Sequence, residues 1–237
     1  SPMLYFAQHH LDADSLAMVT ASHNENGWTG IKCGIEKSLT FGPDDIKEIK
    51  TITENSHDFI ASNNGSYEFK KGIRDEYLKY LKGTQLVKRN LKIVIACGNG
   101  TAGAFAPDLL RSLGCEVIEL HCNLDFKFPN YNPNPAELTM LNDLAQNVKD
   151  LRADIGIALD GDGDRVVICD EKGKIVKGDN VIAAIAKELK QTGQLKGDGV
   201  VGTHMSNKAL ARYLESIELE LYRTYVGDRN VYREMES

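Results

Sequence analysis

Ile155-Gly156-Ile157-Ala158-Leu159-Asp160-Gly161-Asp162-Gly163-Asp164-Arg165-Val166-Val167-Ile168-Cys169 decides the fold class of this chain. An apolar run ends at Leu159, an acidic glycine-rich loop follows, and a second β-rich run begins at Val166. Short runs rich in Ile and Val, bounded by Gly and Asp, read as buried strands. The same signature recurs at 16–20, 92–96, 116–120 and 199–202. Helical patterns lie between these runs. Pro43-Asp44-Asp45 opens one, with proline and acids in its first turn and Ile46, Ile49 and Ile52 on one face. Others cover 73–81, 104–113, 135–151, 180–189 and 207–216. Strand–helix alternation predicts an α/β protein with largely parallel, helix-covered sheets.

Bulk properties narrow the function classes. With 237 residues, 42% of them hydrophobic and 26% charged, the chain can bury a globular core. A net charge of −6 argues against non-specific binding to nucleic acid or anionic membrane. No apolar run approaches the ~20 residues that span a bilayer. Five cysteines, an odd number without CxxC pairing, predict reduced thiols and a cytoplasmic location. The polar stretch Ala61-Ser62-Asn63-Asn64-Gly65-Ser66 reads as a linker, and a softer boundary lies near Gly178-Asp179. Ser1-Pro2-Met3 runs straight into an apolar stretch, and 231–237 stops without a helix cap or a polar tail, so both ends read as cut.

The hexapeptide Asp160-Gly161-Asp162-Gly163-Asp164-Arg165 places three carboxylates at alternate positions separated by glycines. Glycine lets so tight a loop converge its acids, which repel one another unless a hard cation sits between them. Mg²⁺, with positions open to phosphate oxygens or water, is the expected ion. A helix–loop–helix calcium site would need Gly where Arg165 stands and helices where these flanks read as strands. A solvated acidic turn is the remaining alternative, and apolar runs on both sides disfavour it.

A second candidate loop, Thr20-Ala21-Ser22-His23-Asn24, follows the strand at 16–20. Ser22 therefore stands at a strand's carboxyl end, where α/β folds place their sites. A serine hydroxyl needs a base or a metal to act as nucleophile, and His23, Asn24 and Lys32 are the polar groups nearby. The G-x-S-x-G of a hydrolase elbow is absent. Alone, the pentapeptide is as well read as a turn.

Together these motifs, with Gly30-Ile31-Lys32, resemble the α-D-phosphohexomutases. Further matches are Cys97-Gly98-Asn99-Gly100-Thr101-Ala102-Gly103, Asn132-Pro133-Asn134-Pro135, Met205-Ser206-Asn207, and Arg223-Thr224 through Val226-Gly227-Asp228-Arg229. The resemblance implies consecutive three-layer αβα domains with mixed, largely parallel sheets, one complete and two partial. Residues 1–64 would be the C-terminal part of domain I, 65–178 domain II, and 179–237 the N-terminal part of domain III, with domain IV absent. It further implies that Ser22 is the phosphorylated serine, that Asp160, Asp162 and Asp164 hold Mg²⁺, and that Arg165 steadies the phosphate. Lys32, ten residues after the serine, matches a general acid/base. His23 and Asn24 would line the phosphate, with His23 counted among the catalytic groups. Gly227, Asp228 and Arg229 match a loop that contacts the sugar.

The implied activity interconverts hexose 1-phosphate and hexose 6-phosphate through a phosphoserine and a hexose 1,6-bisphosphate. Asn26-Gly27-Trp28-Thr29-Gly30 leans to mannose and glucose, the primary expectation, whereas Val226-Gly227-Asp228-Arg229 leans to glucosamine phosphate. Glu25 stands where the family pattern usually has proline. The family's G-E-x-S-G sugar loop has no match here, so the polypeptide alone is expected to be weakly active or inactive. A non-catalytic Mg²⁺- or sugar-phosphate-binding remnant and a metal-dependent phosphatase are the rival readings; Ser22 speaks against the latter, which usually employs an aspartate nucleophile. Among lesser candidates, His9-His10 and His204 read as scaffolding, and His121-Cys122 lacks further ligands at metal-site spacing. Residues 86–90 read as a solvated basic turn, and Trp28 as packing against the base of the serine loop, with contact to substrate as the alternative.

Overall fold

The computed structural model describes residues 1–37, 39–55, 65–83 and 90–237. Most of the linker expected at 61–66, and all but Asn90 of the basic turn at 86–90, lie outside these residues. The chain divides into two compact units, Ser1–Gly173 and Lys174–Ser237.

The first unit runs α1 (Pro2–His10), β1 (Leu16–Val19), β2 (Ile31–Gly34), α2 (Pro43–Asn55), α3 (Ile73–Gly83), β3 (Lys92–Ala96), α4 (Ala106–Ser112), β4 (Glu116–Leu120), α5 (Leu138–Asp150), β5 (Ile155–Leu159) and β6 (Val166–Asp170). β1 and β2 form an antiparallel ribbon. The main sheet has the order β4-β3-β5-β6, parallel except for the last pair. Its central strand β3 is buried from Ile93 to Ala96, as a parallel strand covered on both faces must be. One face packs Ile95, Ile157 and Leu159 with Phe105, Ala106 and Leu110. On the other, α5 sets down Met140, Leu144 and Val148, all fully buried. Gly156 allows that approach, because a Cβ there would meet Val148 Cγ2 at 2.7 Å and Leu144 Cδ1 at 3.0 Å.

The second unit holds β7 (Ile175–Val176), α6 (Gly178–Gln191), β8 (Gly199–Thr203), α7 (Lys208–Ser216), β9 (Glu220–Thr224) and α8 (Asp228–Glu236). β8 and β9 pair in parallel, joined through α7, whose N-terminus Asn207 caps by accepting the Ala209 N–H at 2.8 Å. Ala186, Leu210, Leu214 and Leu219 form its core. These are interleaved αβα domains with a mixed sheet, the expected fold class.

Five elements depart from the sequence reading, one of them the two-residue strand β7. Residues 2–10 and 228–236 are helical, the first opened by Pro2 and the second by Asp228 in its first turn. β2 and β9 carry exposed or charged positions, such as Ile31 and Glu220, that hid their strand character. Among the described residues all five cysteines are free thiols, and no helix is long and apolar enough to cross a membrane.

Candidate active site

β1 delivers 20–24 to the end of the antiparallel ribbon, and β2 returns Lys32 opposite Met18. The turn from β5 into β6 carries the three aspartates to the same place. Ser22 Oγ lies 3.3 Å from Asp160 Oδ2, 3.3 Å from Asp162 Oδ1 and 3.3 Å from His23 Nδ1. Ser22 adopts a left-handed backbone with φ of 55°, a costly conformation for a residue with a Cβ. Its N–H donates to Thr20 Oγ1 at 2.9 Å, and the Thr20 hydroxyl donates to Asp162 Oδ2 at 3.4 Å. The strained turn is thus tied to the acids it faces.

The two loops also meet backbone to backbone. A Cβ on Gly161 would sit 2.2 Å from the Ser22 carbonyl oxygen, so only glycine permits this approach. Gly161 is gripped on both sides. Its carbonyl accepts the Thr101 N–H and hydroxyl, each at 2.8 Å, and its N–H donates to Pro133 O at 3.0 Å.

The three acids have different electrostatic settings. Asp160 is fully buried, and its Oδ1 accepts the N–H groups of Asp164 and Arg165 at 3.0 Å each. Burial raises its proton affinity, the Arg165 N–H works against this, and the charges of Asp164 and Asp162 add to the rise. Burial pushes Asp162 up as well, but the Lys32 ammonium and Ser1, both hydrogen-bonded to it, hold its carboxyl well below the usual range. Lys32 Nζ sits 2.8 Å from Asp162 Oδ2 and 2.8 Å from Asp164 Oδ2. Desolvation would lower its pKa; the hydrogen bonds and charges of the two carboxylates outweigh that and keep it an ammonium. The Ser1 hydroxyl donates to Asp162 Oδ2 at 2.7 Å. The guanidinium of Arg165 is half exposed, with Nε 4.0 Å from both Asp160 Oδ2 and Asp164 Oδ1.

One carboxylate oxygen from each of Asp160, Asp162 and Asp164 falls within 4.8 Å of the others. An all-oxygen, anionic donor set suits a hard divalent cation. Asp160 supports the fit: it is buried, faces two like charges, and its nearest cation is Arg165 at 4.0 Å. Strands flank the loop on both sides, unlike the helices of a calcium-binding hand.

Ser22, His23, Lys32, the three aspartates and Arg165 therefore come together. Asn24 stands beside them, its N–H donating to Ala21 O at 3.0 Å, and with His23 it lines a cleft of about 480 Å³. Trp28 also lines this cleft and is 69% exposed. The expectation that it packs beneath the loop is therefore corrected; with the left-handed Gly27 before it, the indole projects outward. Gly227, Asp228 and Arg229 belong to the second unit, at the start of α8. His10 stacks on Phe6, and His204 packs edge-on against Tyr225, each at 5.2 Å between ring centres. Sequence reasoning missed Thr20 as a clamp and Asn132 as a link between loops, although Asn132-Pro133-Asn134-Pro135 marked the segment.

Comparison with known proteins places the whole chain among related sequences and folds. The phosphoglucomutase/phosphomannomutase alpha/beta/alpha domain descriptions match residues 1–59 for domain I, 75–173 for domain II and 177–237 for domain III. A phosphoglucosamine mutase of Methylocella silvestris is 41% identical, covering 100% of this chain and 54% of its own length. The crystal structure of a phosphoglucomutase/phosphomannomutase family protein from Burkholderia thailandensis superposes with a TM-score of 0.86 at 30% identity, over 94% of this chain and 47% of that one. Aspergillus fumigatus N-acetylphosphoglucosamine mutase, solved with GlcNAc-6P and magnesium, shares the fold with a TM-score of 0.61 at 18% identity, over 98% of this chain and 60% of that one. The chain spans about half the length of the curated relatives it matches.

Proposed function

The chain belongs to the α-D-phosphohexomutase superfamily, and from that premise we propose that it carries the phosphoryl-transfer centre of a hexose-phosphate mutase. One observation carries this reading: the Ser22 hydroxyl lies 3.3 Å from two members of the aspartate triad and 3.3 Å from an imidazole nitrogen. Phosphoryl transfer asks for positioning and charge neutralisation more than for covalent chemistry. Bound at Asp160, Asp162 and Asp164, Mg²⁺ would supply charge neutralisation at the phosphate oxygens.

The residues divide the remaining work. The Oγ–P bond to Ser22 forms as a P–O bond of hexose 1,6-bisphosphate breaks. His23 Nδ1 takes the hydroxyl proton, and Lys32, an ammonium, gives a proton to the departing sugar oxygen. Arg165 has the freedom to turn its fork onto the phosphate, beside Asn24. Gly227, Asp228 and Arg229 are assigned to the sugar. Reversal returns the phosphoryl group to the other hydroxyl, which interconverts hexose 1-phosphate and hexose 6-phosphate.

The phosphoglucosamine mutase relative supports glucosamine phosphate over the mannose and glucose phosphates expected first. The magnesium and GlcNAc-6P named for the Aspergillus enzyme support the same cation and an amino-sugar class. A cytoplasmic location fits this chemistry. The three matched spans support a division into parts of domains at 1–64, 65–178 and 179–237.

The test is intact-mass analysis and peptide mapping after incubation with Mg²⁺ and glucose 1,6-bisphosphate. A single phosphoryl group on Ser22, abolished by Asp162→Ala, is expected. A labelled residue other than Ser22 would overturn the assignment; Mg²⁺ binding without any label would favour the non-catalytic remnant.

A further inference from the structure

The segment 130–135 touches both loops of the site. Asn132 Nδ2 donates to the carbonyl of His23 at 2.7 Å, one residue beyond Ser22. Pro133 O accepts the N–H of Gly161 at 3.0 Å, one residue beyond Asp160. The dipeptide thus bridges the seam where Gly161 lies against the Ser22 carbonyl. Behind it, the Tyr131 hydroxyl donates to Asp143 Oδ2 on α5 at 3.2 Å. The same carboxylate stands 3.4 Å from His121 Nε2, and Asn147 Nδ2 donates to its other oxygen at 3.0 Å. The His121 ring meets Tyr131 edge-on at 5.2 Å. One end of the bracket is fixed to a packed helix and the other to the two loops.

We propose that Asn132 is a positioning residue, whose amide holds the serine loop at the separation from the aspartate loop that places Ser22 Oγ between Asp160 and Asp162. Its catalytic consequence rests on the function proposed above; its structural content does not. The orientation of the amide is committed to this task. Oδ1 is buried without a hydrogen-bond partner, whereas the N–H₂ group serves His23 O and, at 3.4 Å, Glu137 Oε1. A buried acceptor left unsatisfied is costly, so the donor bonds decide how the side chain stands. The role needs a donor on a short stem, which aspartate lacks when ionised.

Peptide-resolved hydrogen exchange on the full chain, without metal or sugar, tests this. In Asn132→Ala, amides of 20–24 are expected to exchange about two- to tenfold faster, the effect of one lost hydrogen bond, while β3 and α5 keep their protection. Asn132→Asp should match it at neutral pH and regain protection as pH falls through the carboxyl range, once intrinsic rates are divided out. A merely structural side chain would give no such recovery. In parallel, phosphoryl uptake on Ser22 from glucose 1,6-bisphosphate should slow about tenfold or more, with the half-saturating Mg²⁺ concentration unchanged. If the unsubstituted chain takes up no phosphoryl group, the catalytic reading fails and the exchange experiment still decides this one. Unchanged exchange at 20–24 in both variants, or faster exchange spread evenly over β3 and α5, overturns it.

Discussion

Gly161→Ala is the substitution that asks most of the site. A methyl group there would lie 2.2 Å from the Ser22 carbonyl oxygen and 3.3 Å from Pro133 Cγ. The first neighbour is backbone, already strained at the left-handed Ser22, so it cannot turn aside as a flexible side chain would. The two loops must part by about 1 Å to restore an ordinary contact, and a displacement of that size at a reacting group costs about a hundredfold in rate. Crowding of this kind also costs about 1–3 kcal/mol of stability. The assay is the rate of Ser22 phosphorylation by glucose 1,6-bisphosphate in Mg²⁺, read by mass spectrometry alongside a thermal melt. Gly178→Ala is the control, because a Cβ there meets nothing within 4 Å. If Gly161→Ala is phosphorylated at the unsubstituted rate, the loops do not work at the separation described, and the geometric argument for Ser22 falls with it.

Other perturbations separate the parts. Lys32→Met removes an ammonium that competes for Asp162 and Asp164; Mn²⁺ binding, followed by electron paramagnetic resonance, should tighten about two- to fivefold, the worth of ~0.5–1 kcal/mol in partly exposed ion pairs, while Ser22 phosphorylation slows. Gly156→Ala drives a methyl into Val148, Leu144 and Cys169 and should lower the urea midpoint by the equivalent of about 1–3 kcal/mol with no change in the slope of the transition. Leu214→Ala empties a fully buried position in the core of the second unit; a loss of about 2–5 kcal/mol in that unit's stability is expected by chemical denaturation.

Much of the scaffold was legible because its driving force is written locally. The runs at 92–96, 116–120 and 155–159 become β3, β4 and β5 with the same bounds. β3 and β5 are near-continuous apolar runs, as helix-covered parallel strands need, and the edge strand β4 keeps Val117, Ile118 and Leu120 beside its two glutamates. β2 was opaque: Ile31 is exposed, and pairing with β1 rather than burial makes it a strand. α8 was opaque for a like reason, as its nine residues are largely charged and bury none. The chemistry of the aspartate loop was legible from its own spacing. The meeting of that loop with Ser22 was not, and only resemblance joined them. The segment holding Asn132 was matched but its role was not legible, because its contribution is a single hydrogen bond to a backbone carbonyl, for which no residue pattern exists.

The contact between Ser22 and Asp160 closes 138 residues of chain. Contacts of such high sequence separation form late, because the entropy of closing the loop is lost before any contact repays it. During synthesis the serine strand leaves the ribosome before β5 and the acidic loop, whose carboxylates it meets in the folded unit. The environment of Ser22 is therefore a reporter of completed folding in the first unit: the serine acquires its aspartate neighbours only when β5 and the acidic loop have docked.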